Sequence, residues 1–233
     1  MKDLLNSLTE KHPRYGFYKL YCKIRQMGHL WNHKRIYRVY RTLGLNLRKK
    51  PKKRKLVREK HSLEAPLVLN KSWSLDYMTD AFDNGKRFRT ANVLDDCNRE
   101  ALGIKASVSL PAVRVTDFLD EIAYSRGYPL KLRLDNGPEN ISREMRRWAK
   151  KHKVEIIYIQ PGKPAQNAYI ERFNRTYREE VLDMYLFKDI DHVQHITDVW
   201  IAEYNQERPH ESLGDLTPKQ FANKQNSSIY SLY

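Results

Sequence analysis

From Lys71 onward the chain changes period: Trp73, Leu75 and Tyr77 alternate with Ser74, Asp76 and Met78, the signature of a half-buried strand. Asp83-Asn84-Gly85 supplies hairpin chemistry, because Asn and Gly tolerate the positive φ of a tight turn. Phe88 to Asp95 predicts a returning strand, and Ala101 to Leu110 a third. Then a helix (Ala112 to Arg126), a strand (Leu130 to Leu134), a helix (Ser142 to His152) and a strand (Val154 to Ile159) alternate. Three meandering strands followed by β-α-β units predict an α/β layer fold, a mixed five-stranded sheet flanked by helices.

A different pattern precedes this core. Phe17, Leu20, Tyr21 and Ile24, and again Ile36, Val39, Tyr40 and Leu43, recur at helical spacing, which predicts two amphipathic helices. Asn32 is placed to cap the second and Gly44 to stop it, giving a helix-turn-helix outline. Lys34, Arg35, Arg38 and Arg41 lie off the apolar stripe of that helix, where cations can meet phosphates or base edges. Arg48-Lys49-Lys50-Pro51-Lys52-Lys53-Arg54-Lys55 follows, and its proline forbids a regular helix, so an extended linker along a nucleic-acid backbone is expected. Three segments result: a basic helical DNA-binding segment over 1–47, a linker over 48–70 and a core with C-terminal helices over 71–233.

Charge sharpens this division. Residues 1–70 carry 19 Lys/Arg against 4 Asp/Glu, whereas residues 71–233 carry 24 of each. A basic segment joined to a charge-balanced domain suggests a polyanion-binding module attached to something that does other work. No run approaches the ~20 apolar residues of a membrane span, and the first residues lack a signal-peptide stretch, so no membrane partner is expected and a cytoplasmic, nucleoid-associated protein is. His12, His29 and His33 lie near Cys22, but the only other cysteine is Cys97, too few for a Cys-rich zinc site or a disulfide framework.

Three carboxylates stand out in the core. Asp76 lies within the first strand on the face away from Trp73, Leu75 and Tyr77, where burial is costly unless a cation neutralises it. Asp135 ends the Leu130–Leu134 strand and opens Asp135-Asn136-Gly137-Pro138, at the carboxyl edge where α/β folds place ligands. Gln160 to Gln166, with two prolines and a glycine, is a loop leading into a long helix from about Asn167, whose stripe is Ile170, Phe173, Tyr177 and Val181. Asn167, Glu171, Asn174, Arg175 and Arg178 gather on another face of that helix. Singly, each acid also fits an ordinary role: a wet strand face, a turn, a solvated helix. Together, three oxygen donors are what hard divalent ions require.

Across nearly its whole length the chain resembles the insertion-sequence-three family of transposases, whose catalytic core is shared with retroviral integrases. The resemblance rests on Trp73-Ser74-Leu75-Asp76-Tyr77-Met78, on Asn92-Val93-Leu94-Asp95-Asp96 with Asn98-Arg99, and on Leu134-Asp135-Asn136-Gly137-Pro138-Glu139. It extends through Gln160 to Arg172 and on to Tyr204-Asn205, Arg208-Pro209-His210 and Thr217-Pro218. The 35 residues between Asp135 and Glu171 match the family gap, and Arg178 falls where the family has a basic residue.

This resemblance implies a ribonuclease-H-like core in which Asp76, Asp135 and Glu171 are both the catalytic residues and the ligands of two Mg²⁺ or Mn²⁺ ions. It implies cleavage and strand transfer at the ends of an insertion sequence, with DNA ends and target as partners and a homo-oligomer assembled on DNA. Asp95 and Asp96 fall outside the triad. Lys163, Asn167, Arg175 and Arg178 become candidate DNA contacts beside those of the second helix. The family normally carries a further helix-turn-helix and leucine zipper ahead of this sequence, so an upstream-frame product is an expected partner. A truncated, non-catalytic DNA-binding regulator and a general nuclease remain alternatives. Tyr204 to His210 is expected to be a helix end broken by Pro209 and packed on the core.

Overall fold

The computed structural model describes residues 1–47, 66–160 and 167–230. The basic run Arg48 to Lys55, most of the expected linker, and Lys163 lie outside the described residues. By contact the chain divides into two units, Met1–Glu59 with Glu207–Thr217, and Lys60–Gln206 with Pro218–Tyr233.

The smaller unit holds α1 (Lys2–Lys11), α2 (Phe17–Gln26) and α3 (His33–Thr42). Leu5, Leu8, Leu20, Ile24, Ile36 and Tyr40 form its buried centre. Asn32 caps α3, its side chain accepting the Lys34 N–H at 2.8 Å, as its sequence position predicts. Helix α1 goes beyond the predicted pair. Residues 207–217 also depart from expectation, because they pack with these helices. Glu207 takes Lys23 at 3.0 Å and Lys11 at 3.2 Å, the Tyr18 hydroxyl donates to Asp215 at 2.6 Å, and Arg208 lies 5.1 Å from the Tyr15 ring centre.

The larger unit is built on β1 (Ser72–Ala81), β2 (Arg87–Asp95), β3 (Ala101–Ser107), β4 (Lys131–Leu134) and β5 (Glu155–Tyr158). They form one sheet in the order β3-β2-β1-β4-β5. β1, β2 and β3 pair antiparallel, while β1, β4 and β5 pair parallel, so the central strand is the one that carries Asp76.

Alternation along β1 sorts its side chains between two cores. On one face Trp73, Leu75, Leu132 and Leu134 meet α4 (Ala112–Arg126) and α5 (Arg143–His152) through Val115, Leu119, Met145 and Trp148. On the other, Phe88, Leu94 and Ile104 meet Ile170, Phe173 and Tyr177 of α6 (Ala168–Tyr177) and Val193 and Trp200 of α7 (Ile190–Gln206). Sixteen and fifteen buried residues respectively make these the two apolar layers that fix the sheet between helices. α8 (Pro218–Tyr230) completes the described chain.

α6 ends in a π-helical turn, Arg178–Leu182, where the apolar stripe alone predicts one continuous helix. The wider turn still buries Val181 and Leu182. The exposed edge of β3 is covered by two side-chain amides of α7: Gln194 bonds Ala106 N–H and Ile104 C=O at 2.9 Å, and Asn205 does the same for Ala101. Edge pairing with another chain is thereby blocked.

Candidate active site

The parallel pairing of β1 with β4 runs through Ser72–Lys131, Trp73–Leu132 and Ser74–Arg133. Carried two residues further, that register sets Asp76 level with Asp135, so two carboxylates distant in sequence end on neighbouring strands. α6 crosses the same region. Its Asn174, one turn beyond Glu171, donates to Asp76 Oδ2 at 2.8 Å. Asn174 is itself oriented by the buried Asn92, which donates to its Oδ1 at 2.7 Å and stands directly across β2 from Asp76.

Asp76 is half-buried, and its Oδ1 accepts the Tyr77 N–H at 2.9 Å. Burial pushes its carboxyl up to about 6; the Tyr77 N–H opposes this, and the charges of Asp135 and Glu171 add to it. Asp76 therefore feels the charge of both Asp135 and Glu171, although the oxygens of the three acids do not all come within 4.8 Å of one another.

Asp135 is held by two donors on the same oxygen, Gly137 N–H at 3.0 Å and Asn140 Nδ2 at 2.6 Å. Space at Gly137 is tight: a Cβ there would stand 3.0 Å from Asp135 Oδ1 and 3.3 Å from Glu139 Oε2, so a side chain would press on both carboxylates. Asn140 is fully buried. Its Oδ1 accepts the Tyr77 hydroxyl at 3.0 Å and its backbone carbonyl accepts the Tyr158 hydroxyl at 3.1 Å. Tyr77, the neighbour of Asp76, is thus linked through one amide to Asp135. Arg89 lies 5.0 Å from the Tyr77 ring centre and pairs with Glu139, closing this side of the site.

Glu171 is exposed on α6. Its helix is fixed from below by Ile170, Phe173 and Tyr177, the last sharing a hydrogen bond of 2.7 Å with Thr197 of α7. The donor set is all oxygen and hard, which fits Mg²⁺ or Mn²⁺, and a cation would offset both the burial of the Asp76 carboxylate and the repulsion it feels from Asp135 and Glu171.

The neighbouring acids are engaged elsewhere. Asp95 accepts the N–H groups of Asn70 and Cys97, both at 2.8 Å. Asp96 accepts Ser72 at 2.8 Å, Ser74 at 2.6 Å and Arg133 at 2.9 Å. Both are fully buried, and burial raises both carboxyls.

The candidate DNA contacts separate. Lys34, Arg35, Arg38 and Arg41 are all exposed on α3, opposite the buried Ile36 and Tyr40. Arg175 is exposed as well, whereas Asn167 is only 5% exposed. Arg178 is turned back onto β1, bonding Asp80 at 3.1 Å and the Thr79 carbonyl at 2.9 Å. The supporting roles of Asn140, Tyr77, Asn92 and the Arg89–Glu139 pair escaped the sequence reading, since contacts made across a loop or between strands have no periodic signature.

Comparison with known proteins agrees with this architecture. Residues 69–164 and 152–218 each match a family described as Integrase core domain, and residues 1–55 match one described as HTH-like domain. An uncharacterized 31.7 kDa protein of insertion element IS407 from Burkholderia multivorans is 38% identical over 96% of this chain and 81% of its own length. Transposase InsD of the Escherichia coli insertion element IS2A/D/F/H/I/K is 26% identical over 90% of this chain and 73% of its own length. A chain of the simian T-cell lymphotropic virus intasome, solved in complex with PP2A regulatory subunit B56 gamma, superposes with a TM-score of 0.57 over 93% of this chain and 73% of its own, at 14% identity. The sheet and its flanking helices are therefore those of the ribonuclease-H-like integrase fold.

Proposed function

Because the chain belongs to the insertion-sequence-three family of transposases, we propose that it cuts and joins DNA at the ends of an insertion element, using Asp76, Asp135 and Glu171. The observation that supports this most directly is the meeting of β1, β4 and α6, where strand register levels Asp76 with Asp135 and Asn174 ties the Glu171 helix to Asp76. When bound, two divalent ions would supply activation of the attacking oxygen and stabilisation of the leaving oxygen in an in-line phosphoryl displacement.

The protein's own groups prepare this chemistry. Asn174 and the Tyr77 N–H hold Asp76, while Gly137 and Asn140 fix one oxygen of Asp135 and leave the other for a ligand. Outer groups of this kind keep carboxylate ligands in one orientation. Arg175 lies one turn along α6 from Glu171, on the surface, and serves the phosphate backbone. Residues 1–47 hold DNA through Lys34, Arg35, Arg38 and Arg41, the cations of the 48–70 linker add sequence-independent attraction to phosphates, and residues 71–233 carry the reaction. Work on two element ends calls for a homo-oligomer on DNA, with an upstream-frame product as a further partner, in the compartment that holds the element.

The test is nicking and joining of a duplex that carries the element's terminal inverted repeats, with Mg²⁺ or Mn²⁺. Glu171→Gln should abolish both steps and leave DNA binding intact. Binding with no metal-dependent cutting, even with the upstream product supplied, would instead identify a DNA-binding regulator.

A further inference from the structure

The even balance of charge in residues 71–233 hides a local excess. Residues 143–153 hold Arg143, Arg146, Arg147, Lys150, Lys151 and Lys153 against Glu144 alone, so the other 152 residues of this stretch carry 18 cations and 23 acids. All six cations are exposed, while Met145, Trp148 and Ala149 turn the opposite side of α5 into the core. Among the described residues, Arg143, Lys150, Lys151 and Lys153 make no ion pair; Arg147 pairs with Glu144 at 3.1 Å, and Arg146 bonds the Ile141 carbonyl at 2.6 Å.

Helix stability does not call for this arrangement. Lys150 and Lys151 in the last turn do suit the negative end of the helix, but Arg143 occupies its first position, where a cation opposes the macrodipole. Arg143 with Arg147, Arg146 with Lys150, and Arg147 with Lys151 are like charges four residues apart, which weaken a helix. Lys153 has a left-handed backbone, φ 57°, a conformation in which glycine or asparagine is the ordinary choice. A helix that gives up stability to keep five cations over about 12 Å of its length is shaped for an external polyanion.

We infer that α5 is a second DNA-docking surface, gripping the backbone of a duplex without regard to sequence. It lies on the face of the sheet opposite α6, so it is separate from any contact made by Arg175. It also begins beside the site, since Ser142, which caps α5 by accepting Met145 N–H at 3.1 Å, is two residues after the Asn140 that holds Asp135. Only the first turn of α5 is thereby tied to the Asp135 side of the site. This inference rests on reading the chain as a DNA-processing enzyme, but its test does not depend on cutting.

The experiment measures binding of the full chain to a short duplex of arbitrary sequence, lacking element ends, across a range of salt. Each lost phosphate contact flattens the slope of log K against log salt by about 0.9. The triple variant Arg143→Gln, Arg147→Gln, Lys151→Gln should flatten it by about 2.7, and Arg143→Lys with Arg147→Lys should keep the original slope. Neutralising Lys86, Lys188 and Lys219, three exposed cations elsewhere, should change it little. An unchanged slope in the folded triple variant would overturn the inference. So would an unchanged slope with altered sedimentation, which would assign the face to the acidic surface of a second copy. A flattened slope in a protein that cuts no DNA would keep this surface and remove the proposed reaction instead.

Discussion

Asn174 of α6 donates to Asp76 of β1 at 2.8 Å, so the helix that carries Glu171 is bonded to the strand that carries its partner carboxylate. Asn174→Leu removes the donor and keeps the volume. Turnover should fall about 10–100-fold, with the acid limb of the pH–rate profile moved upward because the bond favours ionised Asp76. An unaltered profile would show that the bond has no part in setting the ligand.

Asp76 also makes stability depend on pH. Its folded pKa, about 6, lies above the ordinary 3.8, chiefly through burial. The stability it contributes is complete below the unfolded value and is lost as pH rises through about 6. Without divalent ions, Asp76→Asn should therefore raise stability at pH 7.5 by about 1–2 kcal/mol, allowing for partial exposure, while abolishing activity. Thermal melts with and without Mg²⁺ check this, and only the wild type should gain appreciably from the ion.

Asn140 supplies the 2.6 Å bond to Asp135 and receives the Tyr77 hydroxyl. Asn140→Leu should weaken Mn²⁺ binding by about 10–100-fold in calorimetry. Tyr77→Phe should act in the same direction and more weakly, because the Asn140–Asp135 bond survives. Equal metal affinities in all three proteins would remove this amide from the site.

Away from the reaction, Arg133 neutralises the fully buried Asp96 at 2.9 Å. Arg133→Met leaves a buried acid hydrogen-bonded by Ser72 and Ser74 without its paired cation, and should cost about 3–5 kcal/mol in urea unfolding. Adding Asp96→Asn should recover part of that loss, since the uncompensated charge is the source of the cost.

Periodicity made the sheet legible. Apolar residues two apart marked β1, the Asp83-Asn84-Gly85 turn marked the return into β2, and apolar residues three and four apart marked α2, α3 and the stripe of α6, because burial on one face imposes the spacing. Asp76, Asp135 and Glu171 could be named from their motifs. Their supports could not: Asn140 acts across a loop, and Asn92 reaches Asp76 only through Asn174 and strand register. The same limit hid the turning of Arg178 onto Asp80. Helix α5 was visible as a helix, but its concentrated charge vanished in the balance of the whole domain.

The joining of Glu207–Thr217 to the three amino-terminal helices makes the smaller unit a mosaic of two chain segments. A fragment cut at the linker would leave Lys23 and Tyr18 without the acids they bind. Any exchange of this unit between relatives, by recombination or in the laboratory, must transplant both segments as a set.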